Sequence, residues 1–235
     1  MRIKRADRRT PLWWRPDEVE LALTCAAQDK QARTAVLYTA MGCLLGLRPE
    51  EAIMQRWEDL DLDSIDPKTG ELKPVAHIVG HDGWEPKDGD ARDIPICELL
   101  RQVLLPLRKP KGYLLEAEVV RTKRKANAPW AYRYDPKKVW SRVVASVVAA
   151  GGKAITAYGM RHSFSSNLLI AGVSDVKVAR WMGHADTRMV HRHYGHLLSY
   201  DADINAVSYQ TTAIPTAMPK NALDPEGSVL PRVVA

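Results

Sequence analysis

Residues 158–194 read YGMRHSFSSNLLIAGVSDVKVARWMGHADTRMVHRHY, and the fold class turns on how this stretch divides. From Met160 to Ala171 neither proline nor glycine interrupts the chain, and Gly172 follows. That pattern predicts a helix with a glycine stop. Ser174 is a capping residue ahead of a second helix over Val176–Met182, and Asp186 caps a third that runs from about Thr187 to Leu198. Consecutive helices joined by short turns set a mainly helical expectation.

Working outward toward the N-terminus, Val139, Val143, Val144, Val147 and Val148 recur at helical spacing before Gly151-Gly152. Glu98–Leu107 also reads as a helix. Another begins at Pro16, a third covers about Gln31 to Leu45 and stops at Gly46, and Pro49-Glu50-Glu51 opens the next. Proline suits a first helical turn, and acids suit the positive end of the helix dipole. The middle differs. Trp57–Ile65 alternates in polarity, the turn signal Asp66-Pro67-Lys68-Thr69-Gly70 follows, and Val75–Val79 and Arg92–Ile96 are short strand patterns. The expected class is therefore α+β: mainly α with a small antiparallel β-sheet. Residues 1–15 are basic and irregular and read as a linker or arm. Residues 121–125 form a basic loop. From about Thr211 four prolines and few aromatics predict a flexible tail.

Composition narrows the classes. Hydrophobic residues make up 46% of the 235, enough for a sizeable core. No apolar run is long enough for a membrane span, and the charged N-terminus lacks the apolar stretch of a signal peptide. Cys25, Cys43 and Cys97 are scattered, which fits a reducing, cytoplasmic setting. The net charge of +6 favours a polyanionic partner. Two metal patterns fail. His191, His193 and His196 include no pair four apart, so one helix would spread them around its surface. Asp59-Leu60-Asp61-Leu62-Asp63 lacks the glycine and glutamate of a calcium loop, with Ser64 and Gly70 in their places. Neither a metal nor another cofactor is expected.

Attack on a DNA phosphodiester needs fixed cations for the non-bridging oxygens, a nucleophile, and an acid for the leaving oxygen. Three segments carry such groups in order. Gly46-Leu47-Arg48-Pro49-Glu50-Glu51, with Trp57-Glu58-Asp59-Leu60-Asp61 behind it, resembles the first box of the tyrosine recombinases, the phage-type integrases. Tyr158–Leu169 is similar to that family's H-x-L-R-H-T-F-A-T-x-L-L, and Trp181-Met182-Gly183-His184 to its L-G-H. Tyr194 closes the last segment, ten residues past His184. The resemblance covers roughly Pro16 to Leu198 and implies the catalytic-domain fold of that family over residues 16–200.

The resemblance also implies roles. Arg48 and Arg161 would bind the non-bridging oxygens, with Glu51 supporting Arg48. His184 would add a hydrogen bond to the phosphate. Tyr194 would attack, leaving a 3′-phosphotyrosyl link and a free 5′-hydroxyl, so rejoining would need no ATP. The family's acid is a lysine on a β-hairpin. Lys87 is the candidate, eight residues before Pro95 with Arg92 between; Lys68 and Lys73 are weaker. Tyr158 departs from the pattern, because the family usually has histidine there. A phenol of pKa near 10 can position a neighbour but is a poor base at neutral pH.

The implied function is site-specific recombination, integrating or excising a mobile element, with double-stranded DNA as partner and a homo-oligomer on paired DNA sites. Residues 201–235 would hold a segment able to dock on a neighbour, then the tail. About fifteen residues precede the resemblance, too few for the family's N-terminal helical domain, so the chain is expected to be a fragment or a short relative. Rival readings are a metal-dependent nuclease, a topoisomerase-like enzyme, and a DNA-binding remnant or regulator without catalysis.

Overall fold

The computed structural model describes residues 11–87, 91–116 and 134–194. The first helices are α1 (Pro16–Ala27), α2 (Ala32–Leu44) and α3 (Pro49–Met54). Strands β1 (Leu60–Asp61), β2 (Val75–Ile78) and β3 (Arg92–Pro95) follow, then α4 (Glu98–Leu104). Helices α5 (Lys137–Ala149), α6 (Ala157–Ile170), α7 (Asp175–Trp181) and α8 (Arg188–Tyr194) complete the described residues. The chain is thus mainly helical with one small antiparallel sheet, as the sequence predicts.

Helix α2 is the centre. Every residue from Thr34 to Leu44 is buried, so this stretch of α2 has no solvent face and, Tyr38 apart, reads as apolar or small. It packs on α1, α5 and α6. Its crossing with α6 is close, because a Cβ at Gly42 would stand 2.7 Å from Met160. Helix α5 shows the opposite pattern. It buries Val139, Trp140, Val143 and Val147 along one stripe and leaves Val148 exposed.

The sheet is ordered β1-β2-β3, with Ala76 opposite Ile94 and Ile78 opposite Arg92. Strand alternation sends Ala76, Ile78, Ile94 and Arg92 inward. His77 and Asp93 face out as a pair, with Nδ1 and Oδ1 2.7 Å apart. Inward parity buries the Arg92 side chain, a position set by register rather than polarity.

Two expectations need amending. Trp57–Ile65 is not one strand: Trp57–Asp59 form a 3-10 turn and only Leu60–Asp61 pair with β2. The Asp59 carboxylate accepts the Arg56 backbone N–H at 3.2 Å, a local bond that favours a turn over an extended ladder. Residues 11–15 carry no regular element, yet Trp14 is wholly buried and cannot belong to a free arm. Its indole N–H donates to the Lys153 carbonyl at 2.8 Å, and its backbone N–H donates to Ser163 Oγ at 2.9 Å. Asn167 Nδ2 returns a bond to the Trp14 carbonyl at 3.1 Å. A buried indole needs such a partner, and α5 and α6 supply the pocket. The basic 121–125 segment, the segment proposed to dock, the tail, and the end of the last helix beyond Tyr194 lie outside the described residues.

Candidate active site

The turn after α2 builds one wall of the site. Gly46 has φ +67° and a Cβ there would stand 2.3 Å from the Phe164 ring, so only glycine turns the chain here. The turn directs the Gly46 carbonyl at Arg161 and brings Arg48 to the start of α3. Pro49 fixes the first turn, and the Arg48 backbone N–H donates to Glu51 Oε2 at 2.8 Å.

Glu51 organises the cations. Its carboxylate accepts Arg48 Nη1 at 2.8 Å and both Nη1 and Nη2 of Arg92, at 3.1 and 2.7 Å. Arg161 Nη1 lies 3.9 Å away. Burial by itself would raise the Glu51 pKa. The Arg92 hydrogen bonds and charge, the Arg48 N–H and the Arg161 charge outweigh it and hold the carboxyl down at about 2. Three guanidinium charges thus surround one carboxylate, and the surplus is positive.

Arg161 is buried within α6, a helix started by Thr156, whose hydroxyl accepts the Gly159 N–H at 3.1 Å. Its Nη1 donates to the Gly46 carbonyl at 2.6 Å and its Nη2 to the Met182 carbonyl. These two carbonyls, at the ends of α2 and α7, clamp the guanidinium. Burial lowers its pKa, Glu51 opposes this, and Arg48 and Arg92 add repulsion, leaving it at about 10. It remains cationic at neutral pH. Gly183, at φ +63°, ends α7 and gives its carbonyl to Arg48 Nη2 at 3.3 Å. His184 follows at once, with its Nε2 3.5 Å from Arg161 Nη2.

Helix α8 brings Tyr194 under this cluster. The Asp186 side chain accepts the Arg188 N–H at 2.8 Å and starts the helix. Tyr194 is 3% exposed. Burial raises its pKa, against the Ser165 hydrogen bond and the Arg161 charge. Its hydroxyl lies in hydrogen-bond contact with His162 Nδ1.

A cavity of about 520 Å³ opens over these groups, and Arg48, Lys87, Tyr158, Arg161, His184 and Tyr194 all line it. Glu51 lies behind the arginines. Of the lysines weighed, Lys87 reaches the cavity, whereas Lys73 pairs with Asp66 at 2.8 Å. A second cavity of similar volume adjoins Gly183 and His184 on the side of Arg92 and Arg180; Arg48, Arg161 and Tyr194 line only the first of the two. Among the described residues no cluster of His, Cys, Asp or Glu is placed to hold a metal ion.

Two residues of the cluster were not singled out by sequence. Arg92 binds Glu51 and donates from Nε to the Trp181 carbonyl at 2.8 Å, tying the sheet to α7. A cation at an inward strand position was the available signal. His162 stands beside Arg161 and one helical turn past Tyr158; it falls on the second histidine of the H-x-L-R-H pattern, and that was the available signal.

The sequence pattern described as the phage integrase family matches residues 13–200. A protein of Escherichia coli (strain K12), IntQ, whose name describes it as defective, is 24% identical over 227 residues. The match covers 86% of this chain and 54% of IntQ, so the chain spans about half the length of that relative. Among solved structures, XerA recombinase aligns with a TM-score of 0.56 at 18% identity, over 84% of this chain and 62% of its own. The catalytic domain of bacteriophage HP1 integrase gives 0.55 at 15% identity, over 80% and 89%. The Tn1549 transposon integrase, solved with transposon right end DNA, gives 0.57 at 21% identity, over 80% and 62%. These likenesses show the fold.

Proposed function

Because the chain belongs to the phage integrase family, we propose that it breaks and rejoins double-stranded DNA in site-specific recombination, integrating or excising a mobile element. One observation supports this above the others: six side chains, from Arg48 in the first box to Tyr194 in the last, 146 positions along the chain, line a single cavity with a positive surplus.

On this reading Arg48 and Arg161 take the non-bridging oxygens of the scissile phosphate, with His184 beside them. Glu51 holds the arginines in place. Tyr194 attacks phosphorus, the bond to the 5′-oxygen breaks, and Lys87 gives that oxygen a proton. The phosphotyrosyl link conserves the bond energy, and the free 5′-hydroxyl attacks it on rejoining. Neither a metal nor ATP takes part. Residues 16–200 form the catalytic domain, and recombination of two duplexes calls for several protomers on paired sites, with residues 201–235 supplying a docking segment. The place of action is the nucleoid; among the described residues no helix is long and apolar enough to cross a membrane.

A second reading is a DNA-binding remnant without catalysis. Tyr158 in the family's histidine position and the likeness to a relative named as defective favour it. One experiment separates the two. Nicked duplexes tiled across both flanks of the gene are incubated with the protein in EDTA, and denaturing gels are read for a covalent protein–DNA adduct. Adduct from the parent, absent in Tyr194→Phe, is the expected result. Retarded DNA with no adduct on any tile would establish the remnant.

A further inference from the structure

We infer that His162 is the proton acceptor for Tyr194 in this chain, doing from one helical turn further on what Tyr158 cannot do. The inference rests on the proposed recombinase reading and names a residue that this reading leaves unused.

Positions 158 and 162 stand one turn apart on α6 and share a face. Both side chains line the cavity, and their rings lie 6.4 Å apart. They meet different surroundings. Tyr158 is 48% exposed, and a phenol is a poor proton acceptor. His162 is half-buried against α8, with its ring centroid 5.8 Å from that of Tyr194 and Nδ1 in contact with the Tyr194 hydroxyl. An imidazole of ordinary pKa near 6.5 is largely neutral at physiological pH and can take a proton. With the proton on Nε2, Nδ1 accepts from the Tyr194 O–H.

The step balances. As the Tyr194 oxygen bonds to phosphorus, its proton passes to His162 Nδ1, giving an imidazolium. The bond from phosphorus to the 5′-oxygen breaks, and that oxygen receives a proton from Lys87. In rejoining, the 5′-hydroxyl returns its proton to Lys87 and the imidazolium returns its proton to Tyr194. Burial raises the Tyr194 pKa, so a base at this position has the more to supply.

The ionisable groups facing the same space are Arg48, Lys87, Tyr158, Arg161, His184 and Asp186. His184 is also an imidazole facing this space, so the pH limb must be assigned by substitution. The experiment is single-turnover adduct formation on the nicked duplex that the parent uses, from about pH 5.5 to 8.5, with duplex binding measured alongside. His162→Asn keeps an acceptor near Nδ1 but cannot take a proton. It is expected to lose about 10²- to 10⁴-fold in rate and to lose the rise of rate with pH expected of the parent, with binding unchanged. His162→Ala is expected to be equally slow and to regain rate with added imidazole, which a misfolded variant could not do. If His162→Asn keeps both the parental rate and the parental pH profile while the parent forms adduct, the inference alone is overturned. If imidazole fails to rescue His162→Ala while its melting curve and DNA binding match the parent, it is overturned as well. If the parent forms no adduct, the recombinase reading falls and this inference with it.

Discussion

Replacing Glu51 by glutamine is the most direct test of how the site is held together. The substitution preserves shape and removes one charge. In the folded chain that charge sits among Arg48, Arg92 and Arg161, with its pKa at about 2 against an ordinary 4.5. One pKa unit corresponds to about 1.4 kcal/mol, so the carboxylate contributes on the order of 3 kcal/mol at neutral pH. An independent argument gives the same size. Removing one partner of a buried ion pair leaves uncompensated charge and costs about 3–5 kcal/mol. The sign follows from the depressed pKa: the contribution is fully present above 4.5 and is lost as the pH falls through about 2. Urea unfolding of parent and Glu51→Gln should therefore differ by about 3 kcal/mol at pH 7. That gap should hold down to pH near 4.5 and close as the pH falls toward about 2. Taking the difference between the two proteins removes the shared titration of the other carboxylates. A gap below about 0.5 kcal/mol at pH 7 would sink the argument, and so would a gap that does not change with pH.

Lys87→Ala should form little adduct on ordinary DNA and recover on DNA whose scissile 5′-bridging oxygen is sulfur, since a thiolate of pKa near 8.5 hardly needs an acid. Tyr194→Phe should stay inactive on both, and failure of sulfur to rescue Lys87→Ala would shift the acid to Lys68 or Lys73. Gly46→Ala should destabilise the fold by about 2 kcal/mol or more, because it combines a positive φ with overpacking where a Cβ would stand 2.3 Å from Phe164; a thermal melt within a degree of the parent would contradict this. Filter binding to duplex DNA should weaken by about 10³- to 10⁵-fold between 50 and 200 mM salt if roughly 6–10 phosphates are neutralised, and a flat response would count against DNA as the partner.

Local chemistry wrote most of the helices into the sequence. Pro49 with Glu50-Glu51, the stop at Gly46 and the Asp186 cap act within a turn of where they stand, so helix ends could be read one segment at a time. The resemblance to the tyrosine recombinase segments named Arg48, Arg161, His184 and Tyr194, which come to line one cavity. Other features depend on partners far along the chain. Trp14 reads as part of an arm until Lys153, Ser163 and Asn167 fold around it. Arg92 reads as a strand residue until inward parity sets it on Glu51, 41 positions away. His162 is one histidine among seven until α8 turns the Tyr194 hydroxyl onto its Nδ1. The boundary between the two kinds of feature is physical. Caps, stops and periodicity are bonds and packing within a few residues, whose geometry the backbone fixes wherever the segment lies. Which guanidinium meets which carboxylate, and which ring meets the tyrosine, is set by the crossing of helices and the register of the sheet, and those exist only once the chain has closed on itself.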